Sequence, residues 1–146
     1  MPVTEGSVVY LTADDVWEIH LGLARDFARE GKPFDTAVLK KSGLEAAVSQ
    51  PRQTFGGADL YPGIFEKGAA LARGIICGHV FVDGNKRTGM EAALVFLEVN
   101  GWQVRLTKDE YVALALDVAG AREQGKEPIG VEEIAQRLRK AAKRIG

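Results

Sequence analysis

The 146 residues, 46% hydrophobic and 27% charged, have the composition of a single globular domain, 1–146, and the formal net charge of -1 argues against nucleic acid as the main ligand. No apolar run reaches the length of a membrane span, and the N-terminus lacks a basic region followed by an apolar signal core. We therefore expect a cytoplasmic protein without a membrane partner.

The first predicted element is an amphipathic helix. Thr12 can cap it, two aspartates occupy its opening turn, and Gly31 and Pro33 end it. His20 on this helix has no acidic or metal-ligand companion in its own segment, so a structural role is favoured over a catalytic one. Four apolar residues fall on one face at helical spacing: Val16, Ile19, Leu23 and Phe27.

A shorter helix and a hairpin follow. The second helix is predicted to follow Ser42 and to end before Pro51. Gly56 and Gly57 then form a diglycine turn inside the segment 53–61, which carries Phe55, Leu60 and Tyr61. This pattern predicts a short hairpin or loop whose edge could pair with an extended peptide.

The third helix is predicted to open near Pro62 and to end at His79. Cys77, the only cysteine, lies among apolar residues near its end, which indicates a buried small side chain and excludes an internal disulfide. Small residues would let a neighbouring helix approach closely, at Gly68, Ala69, Ala70 and Gly74.

The fourth helix, from about Lys86 to Asn100, is apolar almost all round, which is typical of a central, buried helix. Its few charged residues share one narrow stripe: Arg87, Glu91 and Glu98. The sequence thus predicts a mostly all-α domain in which other helices surround this one.

The remaining elements are a short extended stretch from Trp102 to Leu106 and two more helices. Thr107 and Glu110 have the spacing of a capping box for the fifth helix. We expect inward positions at Tyr111, Leu114 and Val118 in that helix, and at Val131, Ile134, Leu138 and Ile145 in the last. The basic residues near the C-terminus are interpreted as a solvated face that suits the helix dipole, in preference to a nucleic-acid site.

The loop before the fourth helix has the composition of an anion site. A helix N-terminus presents unpaired backbone N–H groups and partial positive charge. Gly84 can take a tight backbone conformation that aims N–H groups at one point, while Asn85 can cap the helix or hold the loop in shape. Lys86 and Arg87 add formal charge that suits a multi-phosphate ligand.

The other two polar groups of the loop, His79 and Asp83, suit catalysis. A carboxylate beside a phosphate cradle is repelled unless a cation joins the two, so Asp83 predicts a magnesium site. A histidine side chain ordinarily titrates near pH 6.5, close to neutral pH, so His79 is a candidate general base. Phe81 is expected to be a buried anchor that pins the loop, and Thr88 either touches phosphate or is an ordinary first-turn residue.

The simpler interpretation is a helix cap followed by two solvated cations. Cations at a helix N-terminus oppose the dipole, however, so they are misplaced if their purpose is stability alone.

The segment from His79 to Arg87 resembles the signature of the Fic/Doc family, His-x-Phe-x-(Asp/Glu/Asn)-(Gly/Ala)-Asn-(Gly/Lys)-Arg, and fills every position of it. The resemblance covers roughly residues 10 to 105 and implies a Fic/Doc-fold helical bundle around a central buried helix. It also implies that the segment from 53 to 61 is a flap that pairs with the target protein, with Thr54, Phe55, Gly56 and Gly57 in the docking edge.

Two positions make the chain look Doc-like (death on curing). Fic nucleotidyl transferases carry glycine in place of Lys86 and a second arginine in place of Met90. By resemblance, the chain should bind ATP and Mg²⁺ and transfer the γ-phosphoryl group to a Ser or Thr hydroxyl of a target protein. In this assignment His79 is the base, Asp83 holds the metal, Gly84 and Asn85 shape the anion hole, and Lys86 and Arg87 neutralise phosphate charge.

The resemblance further implies a toxin whose target is elongation factor Tu and whose inhibitor is an antitoxin protein supplied in trans. The family's self-inhibitory helix needs a hydroxyl residue where this chain has Asp26. Two alternatives stay open: AMP transfer to a protein hydroxyl, as in Fic enzymes, and a non-catalytic module that binds a nucleotide or a protein.

Overall fold

The computed structural model describes residues 7–146, and most of them are α-helical. Residues 1 to 6, which belong to the predicted domain 1–146 and to the N-terminal stretch without a signal-like pattern, lie outside the described residues. The six helices are α1 (Ala13–Arg29), α2 (Lys41–Ser49), α3 (Ile64–Gly78), α4 (Asn85–Val99), α5 (Lys108–Ala119) and α6 (Val131–Lys140).

Two antiparallel hairpins accompany the helices. Strands β1 (Thr54–Phe55) and β2 (Ala58–Asp59) pair with each other, and strand β3 (Trp102–Val104) pairs with β4 (Ala142–Arg144). Short 3-10 turns occupy Gln50–Arg52 and Arg122–Gln124. None of the helices in the part of the chain that the structure describes is long and apolar enough to cross a membrane.

The predicted cap at Thr12 and the predicted capping box of Thr107 and Glu110 are confirmed, and the Thr12 cap is also a capping box. The Thr12 hydroxyl accepts a hydrogen bond from the backbone N–H of Asp15, and the Asp15 carboxylate accepts one from the N–H of Thr12. Thr107 and Glu110 form the same reciprocal pair at the start of α5. These signals are local, because both partners lie within one turn and need no help from the rest of the fold.

Two boundaries differ from the prediction. Helix α2 begins at Lys41, so Ser42 lies inside its first turn and does not cap it. Helix α6 ends at Lys140, and Ile145 is half exposed and not inward as expected. The backbone N–H of Ile145 instead donates to the carbonyl oxygen of Gly101, because residues 142–144 form strand β4. Pairing with a strand about 40 residues earlier outweighs the local helical pattern.

The centre of the fold is the pair α3 and α4. Helix α3 packs against α2, α4, α5 and α6, and α4 also contacts α1, α5 and β3. Close approach depends on small residues: a Cβ on Gly68 would lie 3.3 Å from Leu97 Cγ, and one on Gly89 would lie 2.6 Å from Ile76 Cγ1. The predicted helical bundle is confirmed, with two helices at its centre instead of one.

Candidate active site

His79 ends helix α3 in an unusual backbone conformation. Its φ and ψ are 46° and 52°, and it is the only non-glycine residue among 7–146 with a positive φ. Left-handed backbone is uncommon for residues with a Cβ, although histidine adopts it more readily than most, and such residues concentrate at functional sites. The imidazole is exposed and has no hydrogen-bond partner among the described residues.

The loop between α3 and α4 is fixed from inside by Phe81 and Asn85. Phe81 is fully buried, as an anchor must be. Its backbone N–H donates to Asn85 Oδ1 at 2.9 Å, and Asn85 Nδ2 donates to the Phe81 carbonyl oxygen at 2.8 Å. Of the two roles considered for Asn85, it holds the loop in shape, and Gly84 occupies the N-cap position of α4.

A segment from the α1–α2 connection supports the same loop from outside. The backbone N–H of Leu39 donates to the Val80 carbonyl oxygen at 2.9 Å. The N–H of Val82 donates to the Ala37 carbonyl oxygen, also at 2.9 Å. The loop is therefore held as a short antiparallel pair, and its two catalytic candidates are carried at fixed positions on it.

Gly84 is required at its position for two separate reasons. Its φ of 78° is left-handed, and a Cβ there would lie 2.8 Å from the Phe34 ring. The N–H of Gly84 donates to Asp83 Oδ1 at 2.8 Å, which fixes that carboxylate at the entrance to the helix. The second oxygen, Asp83 Oδ2, has no partner among the described residues.

The first turn of α4 presents open hydrogen-bond donors. The N–H of Thr88 donates to the Gly84 carbonyl oxygen at 2.9 Å, but residues 7–146 supply no acceptor for the N–H groups of Asn85, Lys86 and Arg87. The Lys86 ammonium forms no ion pair with any described residue. These amides and cations border a cleft of about 290 Å³ lined by Phe27, Asp83, Gly84, Asn85, Lys86, Arg87, Tyr111, Val112, Ala115 and Leu116.

Arg87 is held between two aromatic rings. Its guanidinium carbon lies 4.8 Å from the ring centroid of Tyr111 on α5 and 5.6 Å from that of Phe27 on α1. The Tyr111 hydroxyl donates to Glu91 Oε2 at 2.9 Å. Burial raises the pKa of Tyr111, and the Glu91 carboxylate raises it further, so the phenol stays a protonated donor. The helical spacing of α5 predicts that Tyr111 faces inward, but nothing in the sequence connects Tyr111 to this site.

Thr88 does not face the cleft. It is fully buried, and its hydroxyl lies 2.8 Å from Nδ1 of His20, which is also fully buried. The possibility that Thr88 touches phosphate is therefore wrong. His20 lies in the interior beside the loop, as expected of a structural histidine.

His79 lies in a second cleft, of about 350 Å³, lined by Cys77, His79, Ala119, Gly120, Ala121, Arg122, Glu123 and Pro128. Both clefts border helix α5, the first at Leu116 and the second at Ala119. Residues three apart on a helix are surface neighbours with Cβ atoms about 5–6 Å apart. The structure therefore brings Asp83 to Arg87 together and places His79 in a cleft along the same side of α5.

No group of three or more His, Cys, Asp or Glu side chains among residues 7–146 could enclose a metal ion. Asp83 nevertheless fits a shared magnesium site, because that ion is commonly held by one carboxylate together with substrate phosphates. The free Oδ2 beside open helix amides is the ligand that such a site needs.

The predicted hairpin at the flap is confirmed. Gly56 and Gly57 have φ values of 61° and 83°, as a turn with two left-handed residues requires. All four strand residues are exposed, and Phe55 is 81% exposed. The edge that the resemblance predicts for docking is therefore accessible.

The sequence of this region matches that of a known protein family. Residues 10–97 match the sequence profile of the Fic/DOC family. The chain therefore belongs to the Fic/DOC family, and the match contains both α1 to α3 and the whole loop from His79 to Arg87.

One relative of known name is the protein called Toxin Doc from Mycolicibacterium smegmatis (strain ATCC 700084 / mc(2)155). It is 48% identical to this chain over 61 residues, which are 42% of this chain and 47% of that protein. The aligned segment thus spans about half the length of that relative.

Proposed function

We propose that this protein is a Doc-like toxin that transfers the γ-phosphoryl group of ATP to a Ser or Thr hydroxyl of a target protein. The observation that carries the proposal is the first turn of α4, where three backbone N–H groups without acceptors among the described residues stand beside Lys86 and Arg87. Open amides, two cations and a carboxylate in one cleft match the requirements of a nucleotide's phosphates.

Each residue of the site has one role in the proposed transfer. His79 accepts the proton of the acceptor hydroxyl while its oxygen forms a bond to the γ-phosphorus and ADP leaves with the bonding electrons. The amides of α4, together with Lys86 and Arg87, hold the phosphates in line and offset their negative charge. A magnesium ion on Asp83 would supply further positive charge to the phosphates.

The choice of phosphoryl over AMP transfer follows from two positions. Lys86 stands where Fic AMP transferases have glycine, and Met90 stands where they have a second arginine. Met90 is only 2% exposed and packs in the core, so position 90 supplies no cation for the nucleotide. Lys86 instead places its charge at the entrance to α4, where the terminal phosphates would bind in the Doc orientation.

Resemblance to the Doc branch and the word toxin in the name of the relative support the wider setting of the proposal. The target would be elongation factor Tu in the cytoplasm, and an antitoxin protein acting in trans would cover the site. The position of the self-inhibitory hydroxyl is occupied by Asp26 on α1, which supports control by another chain.

Intact-mass spectrometry of elongation factor Tu after incubation with this protein, ATP and Mg²⁺ tests the proposal. We expect a mass increase equal to one phosphate, and transfer of label from γ-labelled but not α-labelled ATP. An adduct with the mass of AMP would establish AMP transfer in its place. Unchanged elongation factor Tu and unchanged ATP, with nucleotide still bound, would favour the non-catalytic binding module.

A further inference from the structure

Lys67 is a charged residue in the middle of the core helix α3. Its side chain is only 2% exposed, between Glu66 and Gly68 on a helix whose neighbours are mostly apolar. Burying an ammonium group is costly unless it is paired and hydrogen-bonded, so its partners show what the charge is for.

Both partners of Lys67 belong to the flap and its base. The ammonium group donates to Asp59 Oδ2 at 3.1 Å and to the carbonyl oxygen of Tyr61. Asp59 is the last residue of strand β2, and its side chain is 49% exposed. Lys67 therefore connects the interior of the bundle to the exposed hairpin.

The hairpin has little else to fix its direction. The side chains of both strands are exposed, so none of them anchors the flap in the core. Its base is closed by the N–H of Leu60, which donates to the Gln53 carbonyl oxygen at 2.8 Å. Two-stranded hairpins are marginally stable on their own. Among residues 7–146, the bonds of Lys67 are the side-chain hydrogen bonds that connect the flap to a helix.

Helix α3 also ends at His79. Lys67 and His79 are 12 positions apart, which corresponds to about 18 Å along a helix. We propose that Lys67 is a positioning residue that ties the flap to the same rigid helix that carries His79, so that an extended segment of the acceptor protein docked on the flap brings its hydroxyl to the imidazole. This role rests on the proposed protein-directed transfer.

The test compares Lys67→Met, which keeps the buried stem and removes the charge, with a control variant that breaks the ion pair of the preceding residue of α3, Glu66. Glu66 forms an ion pair with Arg139 on α6, so Arg139→Met breaks a charged contact of the same helix without touching the flap. Hydrogen exchange of the amides in 54–60 reports how readily the flap opens, and steady-state kinetics with elongation factor Tu report whether the flap is used in docking.

We expect Lys67→Met to speed exchange of the flap amides about tenfold and to raise KM for the acceptor protein by about the same factor, since a hydrogen bond to a charged group has about that effect. Both kcat and the KM for ATP should change less than about twofold. Arg139→Met should leave flap exchange at the wild-type rate. Asp59→Asn, at a half-exposed position, should act in the same direction and replaces Lys67→Met if that variant does not fold.

Unchanged flap exchange in Lys67→Met, or equal acceleration in Arg139→Met, would overturn the tether. Faster exchange with an unchanged KM for the acceptor would overturn its role in docking. Exchange needs no turnover, so it decides the tether even if the wild type phosphorylates nothing, a result that would instead count against the proposed function.

Discussion

The imidazole of His20 lies flat against the phenyl ring of Phe81, with ring centroids 3.7 Å apart and planes 8° apart. His20 belongs to α1, Phe81 to the loop between α3 and α4, and Nδ1 of His20 also contacts the Thr88 hydroxyl in the first turn of α4. One neutral side chain thus touches both the loop and the helix that form the proposed phosphate site. Helix α1 thereby supports the loop together with Asn85 and the segment 37–39.

Burial of His20 makes the free energy of unfolding depend on pH. Burial lowers the pKa of His20, against the smaller opposing effects of the Thr36 backbone and the Asp83 carboxylate. Since the unfolded histidine has a pKa of about 6.5, the unfolded state binds more protons at pH values between the folded pKa and 6.5. The free energy of unfolding should therefore fall as pH decreases below about 6.5, by up to about 1.4 kcal/mol per pH unit.

Urea denaturation of wild type and His20→Gln at pH 7.5 and 5.5 checks this. Glutamine does not titrate, so the difference between the two proteins isolates His20 from the carboxylates and from His79. The variant should be less stable at pH 7.5 and should lose less stability on acidification. If the two proteins lose equal stability between pH 7.5 and 5.5, His20 binds the same number of protons in the folded and unfolded states, and the prediction is wrong.

The parts of this fold that the sequence predicts are those with partners nearby in the chain. Thr12 and Thr107 find their capping partners three residues on, and the diglycine turn of the flap needs only Gly56 and Gly57. The motif from His79 to Arg87 is likewise contiguous, so its residue types could be interpreted before their positions were known.

The missed features depend on residues far apart in the chain. Tyr111 reaches Arg87 across 24 positions, and His20 reaches Thr88 across 68. Helical periodicity predicts only that such residues face inward, and the side chain they meet is set by how helices pack. Lys67 is a third case, because its charge interrupts the apolar pattern of α3. Only the structure shows that its ammonium group donates to Asp59 in the flap.

Gly84→Ala should destabilise the protein and impair the site, because it combines a left-handed backbone with a clash against Phe34 at 2.8 Å. Left-handed backbone costs a residue with a Cβ roughly 1–2 kcal/mol, and overpacking adds about 1–3 kcal/mol. Gly56→Ala is the matched control, since Gly56 has φ 61° but nothing within 4 Å of the added carbon.

Thermal and urea unfolding of both glycine variants separate the two contributions. Gly84→Ala should lose more stability than Gly56→Ala, and adding Phe34→Leu should recover part of the difference. Equal losses in the two single variants would mean that the Phe34 ring yields without cost.

His79→Asn should abolish most activity and leave the fold intact. Asparagine tolerates left-handed backbone, so it suits a residue with φ 46° better than alanine does, but its amide cannot accept a proton at neutral pH. Loss of a general base lowers the rate by about 10²–10⁴-fold.

Initial rates with γ-labelled ATP and elongation factor Tu measure the effect of His79→Asn, and equal urea midpoints for variant and wild type confirm the intact fold. ATP binding by the variant should be close to wild type, because His79 lies in a different cleft from Lys86 and Arg87. Wild-type rates in His79→Asn would remove His79 from the reaction.

Tyr111 should matter for nucleotide binding through its ring and less through its hydroxyl. The ring faces the Arg87 guanidinium at 4.8 Å, whereas the hydroxyl donates to Glu91 on the same helix as Arg87. A cation over an aromatic face gains about 0.5–2 kcal/mol, so Tyr111→Leu should weaken ATP binding about 2- to 30-fold. Tyr111→Phe keeps the ring and should bind ATP within about threefold of wild type.

Tyr111 could act by holding the Arg87 guanidinium or by contacting the nucleotide directly. Isothermal titration calorimetry with ATP and Mg²⁺ distinguishes these two roles. In an Arg87→Met background the guanidinium is gone, so Tyr111→Leu should have almost no additional effect if the ring acts through Arg87. An undiminished effect in that background would mean that Tyr111 contacts the nucleotide itself, as its position in the wall of the cleft allows. The size of the coupling between Tyr111 and Arg87 therefore decides whether α5 holds the cation or binds the ligand.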